Sequence, residues 1–474
     1  MMGKSYAAPV IVPASSGQKD TLSNGLGGEM TSNSISRGYG ASGASLQMCL
    51  TDPLFQDVDS SCRRYLIHFA DHLSRDLVVS DTVNENPFRG LIPLTGEMPI
   101  LRHILVANAA VHIASINRRV CHVSQRQSQL QASIQGSLEQ PRLSSINTDR
   151  AIVDALSAKH NAINLLRFAL QNIQTINTDL VVTVVLLFVN FELLVSGKNE
   201  WRVHLQGALR LLGCLNLVQG DQSSPLALMR DRITSDCLTY YVLGSTLTHF
   251  DPLPDPPEFN AGILATLRRG EPNSYLSFPT TLLDILFRAC ELANKLFASL
   301  TKGTDQYSSL VEEALSLLAS IDSFDINSWA LSIDSIYTHR MVRRMHTASA
   351  HQDAVRIYIC RSVGDLDLLG FDIERLVENI IHHLSFLDAE DPLFKATAWP
   401  TFIAGAETNN HAHRQWALER LDQLWSAMPW GYVQTANEVM RMAWGLREKS
   451  PSGAALQAGW IHQLKSLGNH WLIA

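Results

Sequence analysis

A chain of 474 residues that is 46% hydrophobic and 18% charged can bury a large interior, and its formal net charge of −7 excludes a broad basic surface for gripping phosphates. Its cysteines (Cys49, Cys62, Cys121, Cys214, Cys237, Cys290 and Cys360) form no CxxC, so a disulfide framework or a cysteine zinc site is not expected, only reduced thiols packed as small hydrophobes. At the amino end AAPVIVPA (7–14) is short, broken by Pro9 and Pro13 and preceded only by Lys4, unlike a secretory signal.

Residues 1–48 are rich in Ser, Gly, Thr and Asn with no apolar period, and are expected to stay disordered because they cannot bury enough to offset their ordering entropy. A helical stripe begins at Leu66, Phe69, Ala70, Leu73 and Leu77. NPFRGLIPLTGEMP (86–99), with three prolines and two glycines, is an irregular crossing. Period 3.6 returns over 100–120. Residues 122–149 are Gln/Ser-rich and poor in apolar side chains, which reads as an inserted loop or a frayed helical extension. Asp149 is placed to cap a helix over 150–173.

LVVTVVLLFVNFELLV (180–195) is apolar on nearly every side. It is shorter than the ~20 residues of a membrane span and carries Asn190 and Glu192, so the expectation is a buried central helix in a soluble, intracellular protein with no membrane span. WRVHLQGALRLLG (201–213) follows after only SGKNE. Trp201, His204, Leu205, Ala208, Leu211 and Leu212 share one helical face, with Arg202, Gln206 and Arg210 opposite. The two segments predict a tight helical hairpin in which Ser196, Gly197 and Asn199 supply the break and a cap. Gly207 reads as permitting close approach of the neighbouring helix, and His204 as a hydrogen-bonded core histidine. Further helices are expected over 223–249 and, after a proline-rich loop at 250–262, near 279–301, 307–320, 330–361, 372–386, 412–427, 431–448 and 454–472. With no β-alternation, hairpin signal or fixed internal repeat, the expected fold is all-α, an irregular multi-helix array of packed helical hairpins.

Residues with chemical potential have plainer readings. His382 and His383 are adjacent and point ~100° apart on a helix, so they cannot chelate one metal. His411 and His413 have no carboxylate or cysteine nearby in sequence. His339, His346 and His351 accompany Arg340, Arg343 and Arg344, forming either a solvated helix face or an anion and partner patch. Glu312, Glu313, Asp388, Glu390 and Asp391 read as exposed acidic turns. GxSxG, HExxH and phosphate-loop patterns are absent, and the glycines of GYGASG (38–43), with no strand before them or helix after, read as linker, so neither catalysis nor a cofactor or metal site is expected.

Three segments in order resemble the fungal-specific transcription factor domain, the helical regulatory region that accompanies zinc binuclear-cluster DNA-binding domains. NPFRGLIPLTGEMPILRHILVANAAVHIAS (86–115) is similar through Pro87, Phe88, Pro93, His103 and His112. Then LSAKHNAINLLRFAL (156–170) and the buried run lead to W-x-x-H-L-x-G-A, here Trp201, His204, Leu205, Gly207 and Ala208. LFKATAWPTFIAGAET (393–408) carries W-P-x-F-I-A-G-x-E, with Trp399, Pro400, Phe402, Ala404, Gly405 and Glu407. The resemblance runs from about residue 51 to 474, and 441–464 ends in a similar Trp-containing helix pair.

One departure stands out. A zinc binuclear cluster needs C-x2-C-x6-C twice, because two zinc ions share converging thiolates, and residues 1–48 hold no cysteine and only Lys4, Lys19 and Arg37 as bases. The resemblance therefore implies a nuclear, pathway-specific regulator, for example of a secondary-metabolite gene cluster. It would act through other transcription regulators or a DNA-bound partner protein, without direct sequence-specific DNA contact, using inter-helix grooves that accept a partner helix or a small-molecule effector. Two alternatives stand beside it: a form lacking an upstream zinc-cluster exon, and a cytosolic helical binding protein.

Overall fold

The apolar run at 180–195 becomes a buried helix against which four others pack. A computed structural model describes residues 58–82, 85–132, 142–172, 177–213, 225–248, 260–302, 307–333, 340–363, 372–449 and 459–474. All belong to the second of two units into which the chain divides, Asp52–Ala474. In order they form α1 (Ser60–His68), a π-helical turn (Phe69–Leu73), α2 (Ser74–Asp76), 3-10 turns at Pro87–Leu91 and Pro93–Thr95, α3 (Pro99–Ala132), α4 (Arg142–Gln171), α5 (Thr178–Val195) and α6 (Trp201–Gly213). There follow α7 (Pro225–Leu247), α8 (Ala261–Gly270), a 3-10 turn (Glu271–Asn273), α9 (Thr280–Lys302), α10 (Tyr307–Asp322), α11 (Ile326–Ile333) and α12 (Met341–Val363). The last set is α13 (Ile373–Leu384), a 3-10 turn (Pro392–Thr397), α14 (Ala398–Glu407), α15 (His411–Ala427), α16 (Gly431–Lys449) and α17 (Trp460–Ser466). The fold is all-α; among the described residues the only β pairing is two isolated bridges, Val78 with Ser274 and Lys198 with Trp471.

Asn177 starts α5 by accepting from the Asp179 and Leu180 N–H groups, and Asp179 in the first turn suits the helix dipole. From Val181 to Leu194 every residue of α5 is buried, against α3, α6, α7 and α16. By length and hydropathy Pro99–Val120 and α5 could each cross a membrane, but 72% and 78% of their apolar stretches are buried inside the protein. The polar side chains of α5 find partners. Tyr240 donates to Asn190 Oδ1 at 3.1 Å, and Lys159 Nζ meets Glu192 Oε1 at 2.5 Å. Against α3, α4 buries Ala151, Ala155, Ala158, Ala162 and Ala169, a small-residue seam that lets the two helices lie close.

The α5–α6 turn is held by the far end of the chain. Gly197 (φ 66°) and Asn199 (φ 55°) both take left-handed backbone. Leu472 N–H donates to Gly197 O at 2.9 Å, and Asn199 N–H to His470 O at 2.7 Å. Asn199 Oδ1 accepts from His470 N–H at 3.0 Å. A Cβ on Gly197 would lie 2.7 Å from Leu472 O, so both conformation and space require glycine.

Several expectations need correction. Gly207 does not mark the close approach: a Cβ there would sit 3.9 Å from Val185, an ordinary contact. The tight glycine is Gly244 of α7, whose Cβ would come within 2.3 Å of the Trp201 ring. The buried stripe of α6 is Trp201, Leu205, Ala208, Leu209 and Leu212, with His204 and Leu211 only part-buried. Asp149 lies inside α4 rather than capping it, and 122–132 and 142–149 are helical, the frayed-extension form of that segment. The expected helix over 330–361 is instead α11 and α12, and that over 454–472 is, in the described residues from 459 on, the short α17 followed by non-helical backbone. Helices α8 and α14 were not anticipated. The proline-rich stretch lies outside the described residues except for its last three positions, which begin α8.

Because Trp201 is fully buried, Trp201→Ala should destabilise by about 3–5 kcal/mol. Gly244→Ala, forced into the same ring, should cost about 1–3 kcal/mol, whereas Gly207→Ala should be neutral or stabilise by up to about 1 kcal/mol. Chemical denaturation of the three variants checks the order, and equal losses at the two glycines would refute this packing.

Candidate functional site

The signature positions fall mostly in the interior. Phe88, Leu205, Ala208, Trp399, Pro400 and Gly405 are buried, Pro87 is part-buried and Pro93 is exposed. Asn86, before Pro87, accepts from Phe88 N–H and donates to Ser74 O and Asp81, fixing the irregular crossing. His103 lines a cleft of about 300 Å³ with Cys62 and Arg102. His112 is buried and meets His68 (Nδ1 to Nε2, 3.0 Å) and Asp76 (3.4 Å), whose carboxylate also accepts from Trp430 Nε1 at 2.9 Å. Burial lowers the His68 and His112 pKa values to about 3, so both imidazoles stay neutral.

His204 is not hydrogen-bonded as expected. It stacks on Phe188 with ring centroids 4.9 Å apart, and its Nε2 stands 3.8 Å from Glu192 Oε1. Burial, with Lys159 nearby, lowers its pKa to about 4. In the third segment a Cβ on Gly405 would meet Met440 Sδ at 2.3 Å and Ala417 Cβ at 2.6 Å, so α14, α15 and α16 converge there. Glu407 accepts from Arg361 and from Trp460 Nε1 (2.9 Å), tying α12 and α17 to α14. These contacts hold helices together.

The three arginines do not share one exposed face. Arg344 is buried and donates to Pro272 O, Arg343 pairs with Asp391 at 2.9 Å, and Arg340 reaches Val79 O. Asp391 is itself buried and caps the following 3-10 turn, so it is no exposed acidic turn. His346 faces His383 (Nδ1 to Nδ1, 3.0 Å), while His339 lies outside the described residues. His413 does have a carboxylate, Glu374 at 2.9 Å, supplied from 39 residues earlier in the chain. Among the described residues no three His, Cys, Asp or Glu side chains are grouped to hold a metal ion. Cys62, Cys237, Cys290 and Cys360 are free, with thiol pKa values raised chiefly by burial.

The residues around a larger open space carried no motif. A cavity of about 620 Å³ opens where the end of α8, the start of α9, the end of α10 and α11 meet. Its walls include Arg268, Glu271, Phe324, Asp325 and Trp329, with serines from α10 and α11. Trp329 Nε1 donates to Glu271 Oε1 at 2.6 Å, and Thr280 donates to both Glu271 oxygens through N–H and Oγ1, each at 3.0 Å. Asp325 accepts from the Asn327 and Ser328 N–H groups and from Ser328 Oγ, starting α11. The one available sequence signal was a tryptophan among serines, in 320–333.

The fungal specific transcription factor domain model matches residues 64–474. The acriflavine sensitivity control protein acr-2 of Neurospora crassa is 31% identical over 438 residues, covering 90% of this chain and 70% of that protein. No solved structure matches the chain.

His351 is fully buried between Phe278 and Trp399, with its Nδ1 2.9 Å from Thr347 O, and burial lowers its pKa to about 4. In the unfolded chain it protonates near pH 6.5. Between pH 6.5 and 4 the unfolded state therefore binds the extra proton, so stability is full above that window and falls as pH drops, by about 1.4 kcal/mol per unit for such a histidine. Denaturation at pH 7, 6 and 5 should show this slope, reduced by one proton in His351→Gln. An unchanged slope would mean His351 does not fold neutral.

Proposed function

The chain belongs to the fungal specific transcription factor domain family, and on that premise we propose that it is a pathway-specific transcriptional regulator acting in the nucleus through protein partners. The observation that carries this is the extent of the match: 64–474 takes in nearly every described residue, so the helical array as a whole is the regulatory domain. The partner-dependent part rests on composition. A net charge of −7 and the lack of any C-x2-C-x6-C in these 474 residues support base reading by a DNA-bound partner. The name of the N. crassa relative refers to control of sensitivity to acriflavine, which supports a target set concerned with small molecules, whether made or resisted. A regulator of this kind is not an enzyme, and the signature residues serve packing rather than turnover.

Transcript profiling of a deletion strain should show a limited gene set changed several-fold, and an unchanged profile would overturn the proposal. Purified chain should bind random duplex DNA only weakly at low salt; tight binding with a steep salt dependence would instead place the DNA contact in this chain.

A further inference from the structure

We propose that the cavity between α8, α9, α10 and α11 is a small-molecule site for an aromatic carboxylic acid, with Arg268 holding the carboxylate and Trp329 and Phe324 packing against the ring. The size fits, since about 620 Å³ lies in the range of sites for compact organic ligands. The wall chemistry decides the class. Trp329 and Phe324 stand at a tilted 6.2 Å centroid separation, both only part-buried, giving an aromatic corner open to the cavity. The Glu271 hydrogen bond holds the indole in place, so this corner is formed before any ligand arrives.

The sign of the ligand charge follows from which lining charge has a partner. Glu271 takes three hydrogen bonds and has Arg344 nearby, and Asp325 takes three as the cap of α11. Both carboxylates therefore have acceptor positions already filled from within the fold. Arg268, exposed at the end of α8, has no ion pair or hydrogen bond among the described residues, while its neighbour Arg269 is paired with Asp231 in a two-point contact. A guanidinium with free donors beside an aromatic corner suits a carboxylate on a planar ring. The serines add a second requirement. Ser320 Oγ donates to Ser316 O, Ser328 Oγ to Asp325 and Ser332 Oγ to Trp329 O, so their free lone pairs can only accept, which favours a ligand bearing hydroxyl or amino donors.

This inference deepens the regulator reading by naming what the domain senses, but its test needs no transcription. Calorimetric titration of the full chain with 2-naphthoate should give saturable one-to-one binding, with the neutral 2-naphthalenemethanol and the cationic 2-naphthylmethylammonium each at least tenfold weaker. Arg268→Gln breaks no hydrogen bond or ion pair and should weaken naphthoate binding tenfold or more, while Arg210→Gln, at an exposed arginine on α6, should leave it unchanged. Absence of saturable binding, equal affinity in Arg268→Gln, or preference for the cation would overturn the proposal. Loss of the binding result leaves the transcript test intact, and an unchanged transcript profile leaves the binding result intact, so the two failures are separable.

Discussion

The constraint on which the rest depends is the burial of α5 on all sides. A helix with no solvent face must be enclosed by several others, and here α3, α6, α7 and α16 enclose it. Each contact then fixes something further. α3 brings α4 through the alanine seam, and α6 sends Trp201 against Gly244 of α7. At the carboxyl end of α5, a Cβ on Gly431 would lie 2.1 Å from Val195 O, so α16 starts directly on the helix end. The strap of His470 and Leu472 across Gly197 and Asn199 closes the same corner.

This arrangement separates holding the fold from offering a surface. Trp201, Trp399 and Gly405 of the motifs lie where helices pack tightly, and polar side chains nearby pair with one another, as with Glu407 and its Arg361 and Trp460 partners. Open space with unspent charge lies instead at helix ends, around Arg268, where α8 stops and α11 starts. Helix ends vary without disturbing a core, which is where a shared scaffold can change what it binds.

How much of this was legible in the sequence depends on the range of the interaction. The central helix could be read from 180–195 alone because uniform burial leaves a local mark, and the sharp turn after it because Gly197 and Asn199 favour left-handed backbone. Gly207 and Gly244 look alike along the chain; only the position of the Trp201 ring separates them. Arg340, Arg343 and Arg344 do share one helical face by spacing, but their surroundings (Pro272, Asp391 and Val79) come from distant segments and draw them apart. The cavity was invisible for the same reason. Its walls come from four helices, one of them not anticipated, and no short motif links Arg268 to Trp329.

Genome-wide chromatin occupancy of a tagged full chain is the direct test of the proposal that this helical array regulates transcription by joining DNA-bound partners. Cross-linked enrichment at a restricted set of promoters is expected, lost when the partner occupying those promoters is removed. Absence of promoter enrichment, or enrichment that persists on naked DNA with the purified chain alone, would contradict it.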